Sequence, residues 1–342
     1  METSEENLEQ RKNRKQSEIR RYYQTVLLTI GLKDLFGTTA TDLRFVSAEP
    51  KFATSKNLSE ILPDAVFQYD NDNHGILCEI KTSMPYPDYF LLEEFRQLER
   101  YSEDVKGWDT STKEVQNHDI LLLCHVMDSD RIVNKISDWI SKGEINFKKQ
   151  FCISEWGTVE SLKFGERDVI LIRHKFGETG CVSFNQKLRE NIKLDVDGLV
   201  TQYEECRFTR KEPPVEYIMV QLWTCIFPAL TEKTEDFEIN ITDLLKVAYD
   251  YYIPWSGIEG EYSQIRKTWI TKAMDKFCEI SLAEKVEDRP ENYLIYYGKR
   301  IEKNVTEYFV EKTCRKDIER EQKIGTKEAL EEAQKRLSEF KQ

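Results

Sequence analysis

Apolar residues recur at helical spacing between Ser17 and Leu35, at Ile19, Tyr22, Tyr23, Val26, Leu27, Ile30 and Leu32, which predicts a helix ended by Gly37. The period then shortens. Leu43 to Phe52 reads as a first strand, and the runs Leu62–Tyr69 and Gly75–Thr82 read as a hairpin around the turn-rich Asp70-Asn71-Asp72-Asn73-His74-Gly75. After Pro85-Tyr86-Pro87, Asp88 is the expected N-cap of a helix running through Tyr101. Asp119–Val126 is apolar enough for a strand buried on both faces. Ile132–Ile140 predicts a helix, and Phe151–Ser154, Val169–Arg173 and Cys181–Phe184 predict further strands.

The pattern changes after residue 206. Arg207–Pro214, charged and closed by two prolines, reads as a linker between a domain of residues 1–206 and one of residues 215–300. The second domain is predicted as a helix over Val215–Leu230 and a strand at Phe237–Ile239. A Thr242-capped helix follows, then a Ser263-capped helix over Gln264–Ile280, then a hairpin from Glu284 to Tyr297. This layout resembles a winged helix, a small α+β domain. Such a resemblance would send helix 264–280 into a major groove, with Arg266, Lys267 and Lys272 near phosphates or bases. Residues 215–300 hold 10 Lys and Arg against 15 Asp and Glu, so a protein-contact or dimerisation role stands beside that one. Residues 301–342 are a charged, helix-prone tail.

The hairpin carries the chemistry. Side chains alternate along a strand, so Glu79 and Lys81 share a face, and Asp64 shares one with Val66 and Gln68. Folding the hairpin brings Asp64, Glu79 and Lys81 to one end, where two carboxylates and a lysine can hold a hard cation and a phosphate. Glu-x-Lys alone says little, because Asp104-x-Lys106 and Glu321-x-Lys323 repeat its charge pattern. The order is more specific: Pro63-Asp64, fourteen residues, Glu79-x-Lys81, then a helix with Gln97-x-x-x-Tyr101. It resembles the PD-(D/E)xK nuclease superfamily, in particular its RecB-like members with their QxxxY motif.

That resemblance implies a mixed α/β fold, a restriction-endonuclease-like αβββαβ core. It implies that Asp64, Glu79 and the Ile80 carbonyl ligate Mg²⁺ or Mn²⁺, with Glu49 as a further upstream ligand and Glu18 as a weaker one. Lys81 would orient the attacking water or stabilise the transition state, and Gln97 and Tyr101 would position Lys81 or the nucleic-acid strand. His174 and Lys175, closing a later strand, are candidate phosphate contacts.

Composition narrows this reading. A formal charge of −12 and a pI near 5.1 exclude a broad basic coat, leaving a local groove as the route to DNA. Eight scattered cysteines without a CxxC pair point to a reduced, cytoplasmic protein, and four dispersed histidines argue against a zinc site. Met1–Glu6 is too acidic for the start of a signal peptide, and no apolar run reaches the length expected of a membrane span. No GxxxxGK[ST] motif occurs, so an ATPase would have to act in trans. The expected activity is a Mg²⁺-dependent deoxyribonuclease in DNA repair, mobile-element processing or anti-phage defence, with a homodimer or protein partner left open. The rival expectations are a catalytically silent nuclease-fold scaffold and, with less support, a transcription regulator built on the winged helix.

Overall fold

The computed structural model describes all residues except 1–3, 39–42, 49–51, 55–59, 70–73, 107–116, 162–166, 197–198, 200–207, 210–211, 232–234, 251–258, 299–300, 302–303 and 340–342. It divides into two compact units. One comprises Tyr23–Arg210 with Ile253–Gly257, the other Met1–Tyr22, Lys211–Tyr252 and Ile258–Gln342.

The first unit is mixed α/β, built on a seven-stranded sheet. Its chain order is the part of helix α1 (Ser4–Thr38) from Tyr23 on, strands β1 (Leu43–Ala48), β2 (Phe52–Thr54), β3 (Glu60–Ile61), β4 (Ala65–Tyr69) and β5 (His74–Lys81), then helix α2 (Asp88–Glu99). There follow β6 (Val105–Lys106), β7 (Asn117–His125), α3 (Val126–Ser141), β8 (Phe151–Ser161), β9 (Arg167–Gly177), α4 (Val182–Arg189) and β10 (Ile192–Asp195). The sheet order is β1-β4-β5-β7-β8-β9-β10. The β4–β5 pair is antiparallel, whereas β5, β7 and β8 run parallel. Parallel neighbours need a crossover, and α2 and α3 supply the two required here.

Helices cover the sheet face carrying Val66 and Leu77. Ile120, Leu122, Phe151 and Ile153 pack there with Leu91, Phe95, Leu98, Ile132, Ile136 and Trp139. The opposite face buries Phe67, Ile76, Cys78, Ile80, Leu121, Leu123 and Trp156. Close approach also dictates a glycine in α1: a Cβ on Gly31 would fall 2.5 Å from Leu194 Cδ1.

Several local expectations change. The expected first strand splits: β1 joins the main sheet, while β2 pairs with β3 and β6 in a separate three-stranded sheet. Cys181–Phe184 is not a strand but the start of α4. A four-residue apolar run fits both periods, and burial of Phe184 and Leu188, one helical turn apart, settles it. Pro87, not Asp88, occupies the N-cap of α2 and makes no side-chain cap bond. Asp88 Oδ2 instead accepts from Lys135 Nζ at 2.6 Å.

The second unit holds α5 (Val215–Gln221), α6 (Phe227–Leu230), β11 (Phe237–Asn240), α7 (Ile241–Asp250), α8 (Glu259–Glu279), β12 (Ala283–Lys285), β13 (Asn292–Ile295) and α9 (Val305–Glu339). Between α5 and α6 lies a π-helical turn, Leu222–Ile226, whose last ring is closed by the Phe227 amide donating to Leu222 O. Pro228, one residue on, has no amide to continue the α-helical ladder. Strands β11 and β12 flank β13 in an antiparallel sheet. Trp223, Phe227, Phe277 and Phe309 interlock as the core, with ring centroids 5.4–6.1 Å apart in their close pairs. Caps differ here too: Asn240 Oδ1, not Thr242, accepts the Thr242 amide at 2.8 Å, and Ser263 lies inside α8. Among the described residues no helix is long and apolar enough to cross a membrane.

Candidate active site

The β4–β5 register pairs Ala65 with Cys78 and Val66 with Leu77, which carries Asp64 to the level of Glu79 and Ile80. The Ile80 amide donates to Asp64 Oδ2 at 2.6 Å, fixing that carboxylate on the strand end. Asp64 is 1% exposed and Glu79 7%, both near the limit of what a protein interior tolerates for an acid.

Lys81 and Tyr101 meet Glu79 from two directions. Lys81 Nζ lies 3.2 Å from Glu79 Oε1 and 2.8 Å from Glu94 Oε2 on α2. The Tyr101 hydroxyl, in the 3₁₀ turn Arg100–Ser102 that extends α2, donates to Glu79 Oε2 at 2.9 Å. A straight α-helix through residue 101 would have put Gln97 and Tyr101 on one face. The tighter turn and the packing of α2 bury Tyr101 and leave Gln97 exposed.

Electrostatics follow from this placement. Burial, the largest influence on Lys81, lowers its pKa, but the Glu79 and Glu94 carboxylates more than reverse that and hold it above the usual lysine value. Tyr101 is pushed far up, first by burial and then by Glu79 and Asp64, so its hydroxyl stays a proton donor at neutral pH. Two carboxylates thus share one ammonium, with the buried Asp64 beside them on the Ile80 amide, an excess of negative charge that a divalent cation would balance.

The donor set suits a hard ion. Mg²⁺ takes one or two protein carboxylates and keeps its remaining ligands as water or phosphate oxygens, so Asp64 and Glu79 are enough. Among the described residues no group of three acidic, histidine or cysteine side chains converges on a metal position.

Neither a family model, nor a curated protein, nor a solved structure matches this chain.

The remaining candidates are spread through the molecule. Glu49 lies outside the described residues, and Glu18 belongs to the other unit, paired with Arg14 at 3.0 Å. Lys175 is held by Asp130 and by Glu155, at 2.8 and 3.1 Å, and His174 Nε2 lies 2.5 Å from Gly177 O. On α8, Lys267 pairs with Glu291 and Lys272 with Glu212 at 2.5 Å; the Arg266 side chain lies outside the described residues.

The structure adds two acids that the motif reading did not assign. Glu94 holds Lys81, and its position one turn after Phe90 on the exposed side of α2 was the available signal. Glu155 is 3% exposed on β8, in the same row as Lys81 and Cys124, and receives Ser129 Oγ at 2.5 Å and Arg173 Nη2 at 2.6 Å. A lone charge inside Phe151–Trp156, a largely apolar run, was its sequence signal.

Proposed function

We propose that this chain is a Mg²⁺-dependent deoxyribonuclease of the PD-(D/E)xK type, hydrolysing DNA phosphodiester bonds in repair, mobile-element processing or defence. One observation carries the reading: two buried carboxylates, Asp64 and Glu79, meet Lys81 and Tyr101 at the end of the central strand β5. The element order, a helix, strands including an antiparallel pair, a helix and a parallel strand, supports a restriction-endonuclease-like core around them. The order of helices and the β11-β13-β12 sheet support a winged-helix-like reading of the second unit.

Asp64, Glu79 and the Ile80 carbonyl would hold Mg²⁺ or Mn²⁺. When bound, the ion neutralises charge on the scissile phosphate and acidifies a water. The chain does the rest. The Ile80 amide and the Tyr101 hydroxyl keep the two carboxylates from rotating, and burial keeps bulk water off their flanks. Lys81, charged at neutral pH, offers its ammonium to a non-bridging phosphate oxygen, where charge grows in the transition state. Glu94 competes for that ammonium, so a substrate phosphate must draw Lys81 away from it.

A second reading has its own support. Lys81 is already held by two carboxylates and Gln97 faces solvent, as suits a nuclease fold kept as a scaffold for a protein or nucleic-acid partner. The deciding experiment is a cleavage assay with Mg²⁺ or Mn²⁺ on supercoiled, linear duplex and single-stranded DNA. Metal-dependent cutting that disappears in Lys81→Ala establishes the nuclease. Cutting retained in both Lys81→Ala and Asp64→Ala, or none in the folded parent, moves the assignment to the scaffold.

A further inference from the structure

Beside Lys81 the surface carries large rings that no fold requirement explains. Tyr86 is 85% exposed, Tyr89 67% and Phe90 56%, and Met127 at the start of α3 is 84% exposed. The rings of Tyr89 and Phe90 meet edge to face, with centroids 5.3 Å apart. Single exposed apolar residues are ordinary, whereas a contiguous aromatic group marks a binding surface.

The backbone beneath these rings is pinned. The Met84 side chain is buried in the core, and its amide donates to Asp128 Oδ2 at 3.1 Å. Arg131 donates to Pro85 O at 2.9 Å and to Tyr86 O at 3.1 Å, and its guanidinium lies over the Tyr86 ring, 5.5 Å from the centroid. One side of Tyr86 is therefore backed by a planar cation while most of the ring remains open to solvent. Phe90 stands one helical turn before Glu94, the residue that holds Lys81, so the rings border the candidate active site along α2.

We infer that Tyr86, Tyr89 and Phe90 form a stacking platform for the unpaired bases of a single-stranded DNA segment entering the Asp64–Glu79–Lys81 site. The inference rests on the nuclease reading and specifies its substrate. Charge argues for bases over a duplex backbone. The nearby cations Arg131, Lys135 and Arg96 already hold Asp128, Asp88 and Glu93, and the chain's net charge is −12. Affinity must then come mainly from π-faces, which every unpaired base offers and a paired duplex hides. A backed, rigid ring also loses little freedom on stacking.

The test is fluorescence anisotropy of a labelled oligothymidylate strand and of its duplex with oligodeoxyadenylate. It uses the full-length Lys81→Ala chain in Ca²⁺, so that cleavage does not intrude. The strand should bind better than the duplex. Tyr86→Ala, Tyr89→Ala and Phe90→Ala should each weaken strand binding roughly tenfold. Tyr89→Phe and the remote control Val182→Ala should change nothing. The inference is overturned if the triple alanine variant binds the strand like its parent, or if strand and duplex lose affinity equally. Absence of strand binding by the folded parent, including a parent that self-associates through the rings, overturns it too. The nuclease reading fails separately: wild type that binds the strand through the rings yet never cuts it in Mg²⁺ or Mn²⁺ refutes catalysis and leaves the platform standing.

Discussion

Two sets of buried charge, one in each unit, look alike in composition and differ in balance. In the second unit Lys15 Nζ bonds Glu216, which is 3% exposed and also receives the Thr313 hydroxyl at 2.9 Å. Asp317 completes the set, 3.1 Å from Lys15 and 2.9 Å from Lys276. Glu279 adds a third acid from the exposed side, 2.7 Å from Lys276, so three acids meet two lysines. At the end of β5, Glu79 and Glu94 share the single Lys81, and beside Glu79 the buried Asp64 accepts from the Ile80 amide. A network nearer to balance holds structure together; one with a larger excess of acid spends stability to hold a charge distribution in place, which is the arrangement expected where a ligand completes the set.

The comparison is most sharply broken by function. Lys81→Ala should cut DNA roughly a thousandfold more slowly while keeping its circular dichroism spectrum, as removal of a charge-stabilising donor does elsewhere. Lys15→Ala should leave the catalytic groups untouched and instead lower stability by about 3 kcal/mol, because it strands Glu216 in the interior. Urea unfolding measures this; an unchanged midpoint would show that the network adds nothing.

Asp64→Asn should act in the opposite sense. It keeps an oxygen for the Ile80 amide but removes one of the crowded negative charges, so in EDTA it should stabilise the fold by about 1 kcal/mol. Millimolar Mg²⁺ should raise the melting temperature of the wild type and not of this variant. Tyr101→Phe, which leaves Glu79 Oε2 without the tyrosine's proton, should cost about 1 kcal/mol. Alkaline pH gives the smallest and latest effect. Lys81 and Tyr101 both have folded pKa values raised above their unfolded ones, so their contribution is complete below the unfolded values, near 10. It declines as pH rises above them, and wild type should lose stability there faster than Tyr101→Phe.

Much of the first unit could be read from residue order. Strand alternation places Asp64, Glu79 and Lys81 because a strand's period leaves one choice of face. The apolar run of β7 is equally explicit. Helix-borne detail was less accessible. Whether Gln97 or Glu94 reaches Lys81 depends on how α2 rotates against the core, and whether Tyr101 turns inward depends on a 3₁₀ turn that spacing does not encode. Glu155 required a parallel pairing of β7 with β8, a contact between segments about thirty residues apart. Cys181–Phe184 was ambiguous because four residues do not distinguish the two periods. The charge network of Lys15, Glu216 and Asp317 had no local signal at all, since its members lie some 200 and 100 residues apart.

The account depends on the excess of carboxylates around Lys81 being a place for a divalent cation. Calorimetric titration of Mn²⁺ into the full-length chain, beside Asp64→Asn and Glu79→Gln, tests this directly. The account predicts saturable binding by the wild type that is lost in both variants and preserved in Lys15→Ala. Wild type that takes up no Mn²⁺, or variants that bind it as well as wild type, would contradict it.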